Sequence, residues 1–218
     1  MKKVVLLCIS VVFAIIILFV GAFTLLDGEH TDSKETKSHV IENSPKTFKA
    51  ADGKVYVEYK QYDPRWKNEE YWGMTMERRG CGITAMAILL SGYGEKVTPK
   101  DLQKKYYPVM NYDNMRKDLL ENYNVKSEGF FYDKENLSEK KIIKHLKSNK
   151  PLIVCVWTEN GKNIWTKYSH YLVLLAADDE NNIYVANPNG KENGPSKNGW
   201  YPASQVVPYL AKVLYIEE

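Results

Sequence analysis

Residues 80–92 read GCGITAMAILLSG, and the rest of the chain is organised around them. Cys81 stands between two glycines at the head of a run of helix-forming apolar residues. The spacing therefore predicts a buried helix with Cys81 at or near its first turn. There the unpaired backbone N–H groups and the positive end of the helix dipole favour a thiolate over a neutral thiol. The same residues also fit a thiol that merely fills a gap behind a core helix, because free cysteine is among the most buried residue types. Gly80 and Gly82 are expected to leave room for a substrate backbone, and Gly92 to cap the helix.

Composition narrows the function classes. The 218 residues carry a formal charge of +3 with acidic and basic residues interspersed, so no basic stripe advertises nucleic acid as a partner. Cys8, Cys81 and Cys155 show no CxxC spacing and the histidines are scattered. Neither a structural metal site nor a disulfide framework is indicated. After Lys2 and Lys3, an uncharged apolar run from Val4 to Leu26 would cover about 35 Å as a helix, enough to span a bilayer. No convincing cleavage site follows it, so residues 1–26 read as an uncleaved signal anchor. The lysines before it, with Asp27 and Glu29 after it, place the N-terminus in the cytoplasm and the remainder outside the cell. Cleavage would give a secreted protein instead. Residues 27–54 are polar and hold almost no large apolar side chains, which predicts a flexible stalk containing His30 and His39. Residues 55–218 are then the folded domain, expected to be a monomer.

Within that domain, Val55 to Tyr59 alternates as a short strand, and Gln61-Tyr62-Asp63-Pro64-Arg65-Trp66 breaks the pattern with a turn. Gln61 carries a neutral amide that can donate a hydrogen bond, and a loop can bring it beside the thiol. A surface turn glutamine is the bland alternative. Trp66, Tyr71 and Trp72 are expected to pack this loop onto the domain. Thr98-Pro99-Lys100-Asp101 starts a second helix running to about Tyr106. A third lies around Asp113 to Asn122, and Ser138 caps a fourth with Ile142, Ile143 and Leu146 inward. His145 beside that face reads as half-exposed and structural. Up to here the pattern is helical. Beyond Lys150 it changes to strands: Pro151 to Trp157, His170 to Ala177, Ile183 to Ala186 and Lys212 to Ile216. Cys155 sits mid-strand, as an inert buried thiol. A helical half followed by a sheet half predicts an α+β domain, with helices on one face of an antiparallel sheet.

His170 opens the second strand and Asn187 closes the third, just before Pro188. A two-residue turn at Asp178-Asp179 would set the two directly opposite. A five-residue loop would pair Asn187 with Val173 and leave them about 10 Å apart, unless a bulge corrects the register. A polar strand-edge residue is the bland reading of His170. Taken together, Gln61, Cys81, His170 and Asn187 supply the nucleophile, base, base-orienting group and oxyanion donor of an acyl-transfer site.

The stretches QYDPRW, GCGIT and SHYLVLLAADDENNIYVANP resemble those of the papain-like cysteine peptidases of the bacteriocin-processing, double-glycine-peptidase-like group, over about Val55 to Glu218. The resemblance implies a papain-like fold and hydrolysis of a peptide or protein substrate through an acyl-enzyme, without a cofactor. It implies Cys81 as nucleophile, His170 as general base and acid, Asn187 as its orienting partner and Gln61 as oxyanion donor. Ile83 stands where the family more often has proline, and Asn187 where it often has aspartate. No GxxxxGK[ST] motif is present, so the chain is not itself a leader-peptide exporter. A cell-wall amidase or peptide acyltransferase with the same triad is one alternative. A surface binding module with a vestigial site is another.

Overall fold

A computed structural model describes residues 45–159 and 163–217. The apolar run with Cys8, and His30 and His39, lie outside the described residues. Among the described residues, no helix is long and apolar enough to cross a membrane.

Folded structure begins before Val55. Strand β1 (Thr47–Lys49) pairs antiparallel with β2 (Val55–Val57). The polar composition of this stretch reads as stalk because it holds one large apolar residue, Phe48. That residue is sufficient: its ring stacks on Tyr184 with centroids 3.8 Å apart, and Ala50 is buried beside it. Residues 45–54 therefore belong to the domain, and the boundary expected at Lys54 moves towards the N-terminus.

A small hairpin of β3 (Glu70–Tyr71) and β4 (Met74–Thr75) follows, then the short α1 (Met76–Arg79) and α2 (Cys81–Gly92). Every residue of α2 from Gly82 to Leu90 is buried, as its all-round apolar sequence requires. Trp66 and Tyr71 are buried as expected, but Trp72 is 54% exposed at the hairpin turn, where it lies against the Arg79 guanidinium. Gly92 is not a cap. It is the last helical residue, and a Cβ there would meet the Tyr56 ring at 2.1 Å, so the glycine makes the notch that seats β2 against the helix. The Ser91 hydroxyl completes the joint by accepting from the Val57 N–H at 2.8 Å.

Helix α3 (Pro99–Lys105) starts on a complete capping box between Thr98 and Asp101. Helix α4 (Met115–Tyr123) is preceded by a 3-10 turn at Tyr112–Asn114. The chain then forms β5 (Ser127–Phe131), a strand that interrupts the helical half, before α5 (Glu139–Lys147). Ser138 occupies the N-cap position of α5, yet its hydroxyl donates to the Glu135 carbonyl and accepts no helix N–H.

The remaining strands are β6 (Leu152–Trp157), β7 (Ser169–Ala177), β8 (Asn182–Ala186), β9 (Gly199–Pro202) and β10 (Leu210–Ile216). Together with β5 they form a six-stranded antiparallel sheet in the order β5-β10-β6-β7-β8-β9. Helices cover both faces of it, not one. Ile153, Val173 and Leu214 pack with α2, whereas Leu152, Val154, Leu172 and Leu174 pack with Ile142, Ile143 and Leu146 of α5. A sheet buried on both sides needs apolar residues at every position, which is why LIVCVW and YLVLLAA are unbroken apolar runs.

Register decides where β7 and β8 deliver their ends. Ala177 pairs with Ile183, which is the five-residue-loop register, but the pairing shifts by one between Leu174 and Ala176. Below this bulge Val173 faces Ala186. Continuing the ladder one step sets Asn187 opposite Leu172, two positions from His170 and on the same side of the pleat.

Candidate active site

Cys81 is the first residue of α2 and is partly exposed. The first intrahelical bond of its turn runs from the Thr84 N–H to the Gly80 carbonyl at 2.9 Å, so the earlier N–H groups point out of the helix end. Gly80 and Gly82 both stand where the protein's own atoms pack closely around the start of α2. A Cβ on Gly80 would meet the Met76 carbonyl at 2.6 Å, and one on Gly82 the Tyr112 ring at 2.3 Å. Tyr112 stacks in turn on Tyr171 of β7, centroids 4.8 Å apart, and so braces the start of α2 against the sheet.

His170 and Asn187 meet as the bulged register allows. The His170 Nε2 lies 2.7 Å from the Asn187 Oδ1, with both side chains buried. The orientation of the carboxamide is fixed from its other sides. Its Oδ1 accepts from the Asn189 N–H at 2.8 Å, and its Nδ2 donates to the Ser196 carbonyl at 2.8 Å. An amide oxygen can only accept, so Nε2 carries the proton. That leaves Nδ1 for Cys81, whose side chain is hydrogen-bonded to His170.

The electrostatics follow from this chain of contacts. Burial alone would push the Cys81 thiol up, but the hydrogen bond and charge of His170 outweigh it, helped by the backbone N–H groups of Tyr171 and Gly82. The Cys81 pKa is held below the ordinary thiol range as a result. Burial likewise opposes protonation of His170, and contact with Cys81 and Asn187 raises its pKa above the usual imidazole value in spite of it. Each group stabilises the charged form of the other, the signature of a thiolate–imidazolium pair. Cys155 shows the contrast: buried mid-strand without such a partner, its thiol is pushed up to about 11.

Gln61 is buried where the two halves of the domain join. Its backbone N–H donates to the Pro188 carbonyl at 2.9 Å, next to Asn187, while its Nε2 donates to the Glu77 carbonyl, ahead of Cys81. Gln61 thus bridges the strands' side through its backbone and the helix's side through its amide, whose second N–H hydrogen is uncommitted to Glu77. Two residues escaped sequence reasoning. Lys60 donates to the Asn187 carbonyl at 2.8 Å and to the Asn198 Oδ1 at 2.6 Å, and that same Oδ1 accepts from the Asn187 N–H at 2.8 Å. Neither stands in a periodic pattern. The only signal was that Lys60 adjoins Gln61. His145 is half-buried and edge-on to Tyr215, a structural place as expected. Among the described residues, no group of His, Cys, Asp and Glu side chains is placed to hold a metal ion.

Comparison with curated proteins finds no match. A crystal structure of a presumed C39-like peptidase from Bacillus anthracis is similar over 76% of this chain and 98% of that one, at 15% identity and a TM-score of 0.49. The Peptidase_C39 like family matches this sequence over residues 55–209. With an α+β papain-like fold spanning that match, the chain belongs to the C39-like peptidase family.

Proposed function

We propose that the domain is a cysteine peptidase that hydrolyses a peptide bond through Cys81, His170 and Asn187, with Gln61 as oxyanion donor. Family membership suggests a cysteine peptidase. The observation that carries the assignment of residues is the relay from Asn187 Oδ1 through the His170 ring to Cys81, with the carboxamide locked by Asn189 and Ser196.

In this mechanism the Cys81 thiolate attacks the scissile carbonyl carbon and the C=O electrons move onto oxygen. The Gln61 Nε2 and the Cys81 backbone N–H hold that oxyanion. As it collapses, the C–N bond breaks and His170 gives its Nδ1 proton to the leaving amine. Water then attacks the thioester, His170 takes a proton from it, and the acid product leaves with Cys81 regenerated. Asn187 keeps the ring aligned throughout and remains neutral. The apolar run at residues 4–26, with lysines before it, supports a form anchored in the cell membrane with the domain outside.

The test is the pH dependence of iodoacetamide alkylation at Cys81 in the full chain and in His170→Ala. An ordinary thiol of pKa about 8.5 is roughly 0.3% ionised at pH 6. Rapid labelling of Cys81 at pH 6 that falls by about 10²-fold in His170→Ala is expected, with Cys155 unlabelled in both. Labelling that tracks an ordinary thiol and ignores His170 would sink the peptidase reading.

A further inference from the structure

We propose that Lys60 is a positioning residue of this site: its ammonium ties the turn that carries Gln61 to both ends of the Asn187 peptide, and through Asn187 it aligns the His170 ring. The inference rests on His170 being the base that activates Cys81.

The geometry is specific. Lys60 lies in the turn after β2, and its carbonyl accepts from the Trp66 indole N–H at 2.8 Å, which pins its own backbone. Its Nζ reaches across the domain to the Asn187 carbonyl and to the Asn198 Oδ1. Because Asn198 also holds the Asn187 N–H, the pair Lys60 and Asn198 grips that residue's backbone from both sides. Asn198 is the last residue before β9, so the turn after β2 and two positions 127 and 138 residues further along the chain converge on one ammonium group. The Asn187 side chain has little freedom to turn once its backbone is held, and its Oδ1 is the group that fixes the His170 proton.

A lysine in such a place is costly for the fold. Burial, helped by Lys46, lowers its pKa from 10.5 to about 8 against the smaller influence of Glu58 and Glu192, which favour the charge. A methionine of similar length would fill the space without a desolvated charge. It would also leave no orphaned acceptor, since the Asn187 carbonyl accepts from the Gly190 N–H at 3.0 Å and Asn198 Oδ1 keeps the Asn187 N–H. Packing and hydrogen-bond satisfaction thus do not require the ammonium. What the ammonium adds is a tether from the turn carrying Gln61 to the Asn187 carbonyl and the Asn198 Oδ1.

The experiment is a double-mutant cycle on the full chain, read as the rate of iodoacetamide alkylation at Cys81 at pH 6. Lys60→Met should slow labelling by about tenfold in the wild-type background and by less than twofold in Asn187→Ala, because coupled residues are non-additive. The acid limb of the labelling profile should move to higher pH in Lys60→Met. The charged and polar groups facing His170 are Cys81, Asn187 and Lys60; the Lys60 charge itself opposes the imidazolium, so its loss alone would favour the pair, and a move of the acid limb to higher pH reports lost Asn187 alignment. A structural role alone would lower the melting temperature without this coupling. Should Lys60→Met not fold, Asn198→Leu breaks the same grip and carries the same expectation. Equal slowing in both backgrounds, or no slowing, overturns the inference. In that outcome labelling of the wild type at pH 6 would still depend on His170. Loss of that dependence is the separate failure of the peptidase reading.

Discussion

Asn187→Asp is the most informative change at the candidate site, because it preserves one arm of the carboxamide and reverses the other. Oδ1 still accepts from the Asn189 N–H and from His170 Nε2, as the wild-type oxygen does at 2.8 and 2.7 Å. The second oxygen, however, now replaces Nδ2 and faces the Ser196 carbonyl at the 2.8 Å of the lost hydrogen bond. Two acceptors meet where a donor and an acceptor stood. Losing that bond and leaving Ser196 facing a like partner should cost about 1–3 kcal/mol. At roughly 2–4 °C per kcal/mol for a domain of this size, the melting temperature should fall by about 2–12 °C.

The effect on His170 has the opposite sign. A carboxylate against Nε2 favours the imidazolium and should raise its pKa by about 1–3 units, on top of the elevation that Cys81 and Asn187 already produce. The measurement is an NMR titration of the imidazole Cε1–H resonances, with His170 assigned by its absence in His170→Ala, together with thermal denaturation of the same samples. Lower stability with a higher His170 pKa is the expected pair of results. A His170 pKa unmoved by the new carboxylate would refute the contact on which the relay depends. Unchanged stability at a pH above the raised His170 pKa, where no imidazolium pairs with the carboxylate, would refute the locked orientation of the carboxamide.

Gly92→Ala tests the notch beneath β2. The new methyl would sit 2.1 Å from a ring carbon of Tyr56, which is 1% exposed, and overpacking of about 1–3 kcal/mol should exceed the gain of about 1 kcal/mol in helix propensity. Thermal denaturation should therefore show a net loss, and a rise in melting temperature would contradict the packing. For Lys60, the folded pKa of about 8 lies below the model-peptide value of 10.5, so the folded chain binds fewer protons than the unfolded chain between these values. The penalty for charging Lys60 is complete below pH 8 and is relieved as pH rises towards 10.5. Chemical denaturation should show wild type gaining on Lys60→Met across that range by up to about 3 kcal/mol, and a constant difference would exclude a desolvated lysine.

Elements with strong local chemistry were legible in the sequence. The capping box at Thr98 and Asp101, the all-apolar helix after Cys81 and the doubly buried strands β6, β7, β8 and β10 lie close to where pattern places them. Within the six-stranded sheet, the strands that were missed, β5 and β9, are its two edges. SEGFF and GWYP carry the glycine, charge and proline that keep an edge from pairing further, and those residues read as loop. The expectation of helices on one face failed for a related reason. Unbroken apolar runs in β6 and β7 already report burial on both sides, and α5 with its inward Ile142 and Leu146 is what covers the second.

The site was legible as residue types but not as geometry, and the difference lies in one extra residue of β7. Turn length sets the register near Ala177 and Ile183, and taken alone it would leave Asn187 facing Val173, three positions from His170 and on the opposite side of the pleat. The bulge around Leu175 inserts one residue and changes both quantities together: the separation falls to two positions, and the two side chains share a side. A one-residue slip elsewhere in a doubly buried sheet would exchange its two cores. Here the segments on either side of the bulge keep their apolar residues buried, since Val173, Leu174 and Leu175 are all in contact with one core or the other. A strand that is apolar at every position is thus the kind that tolerates a bulge without exposing core. The sequence property that makes β7 easy to recognise as buried is the one that hides its register, and the register is what brings Asn187 to His170.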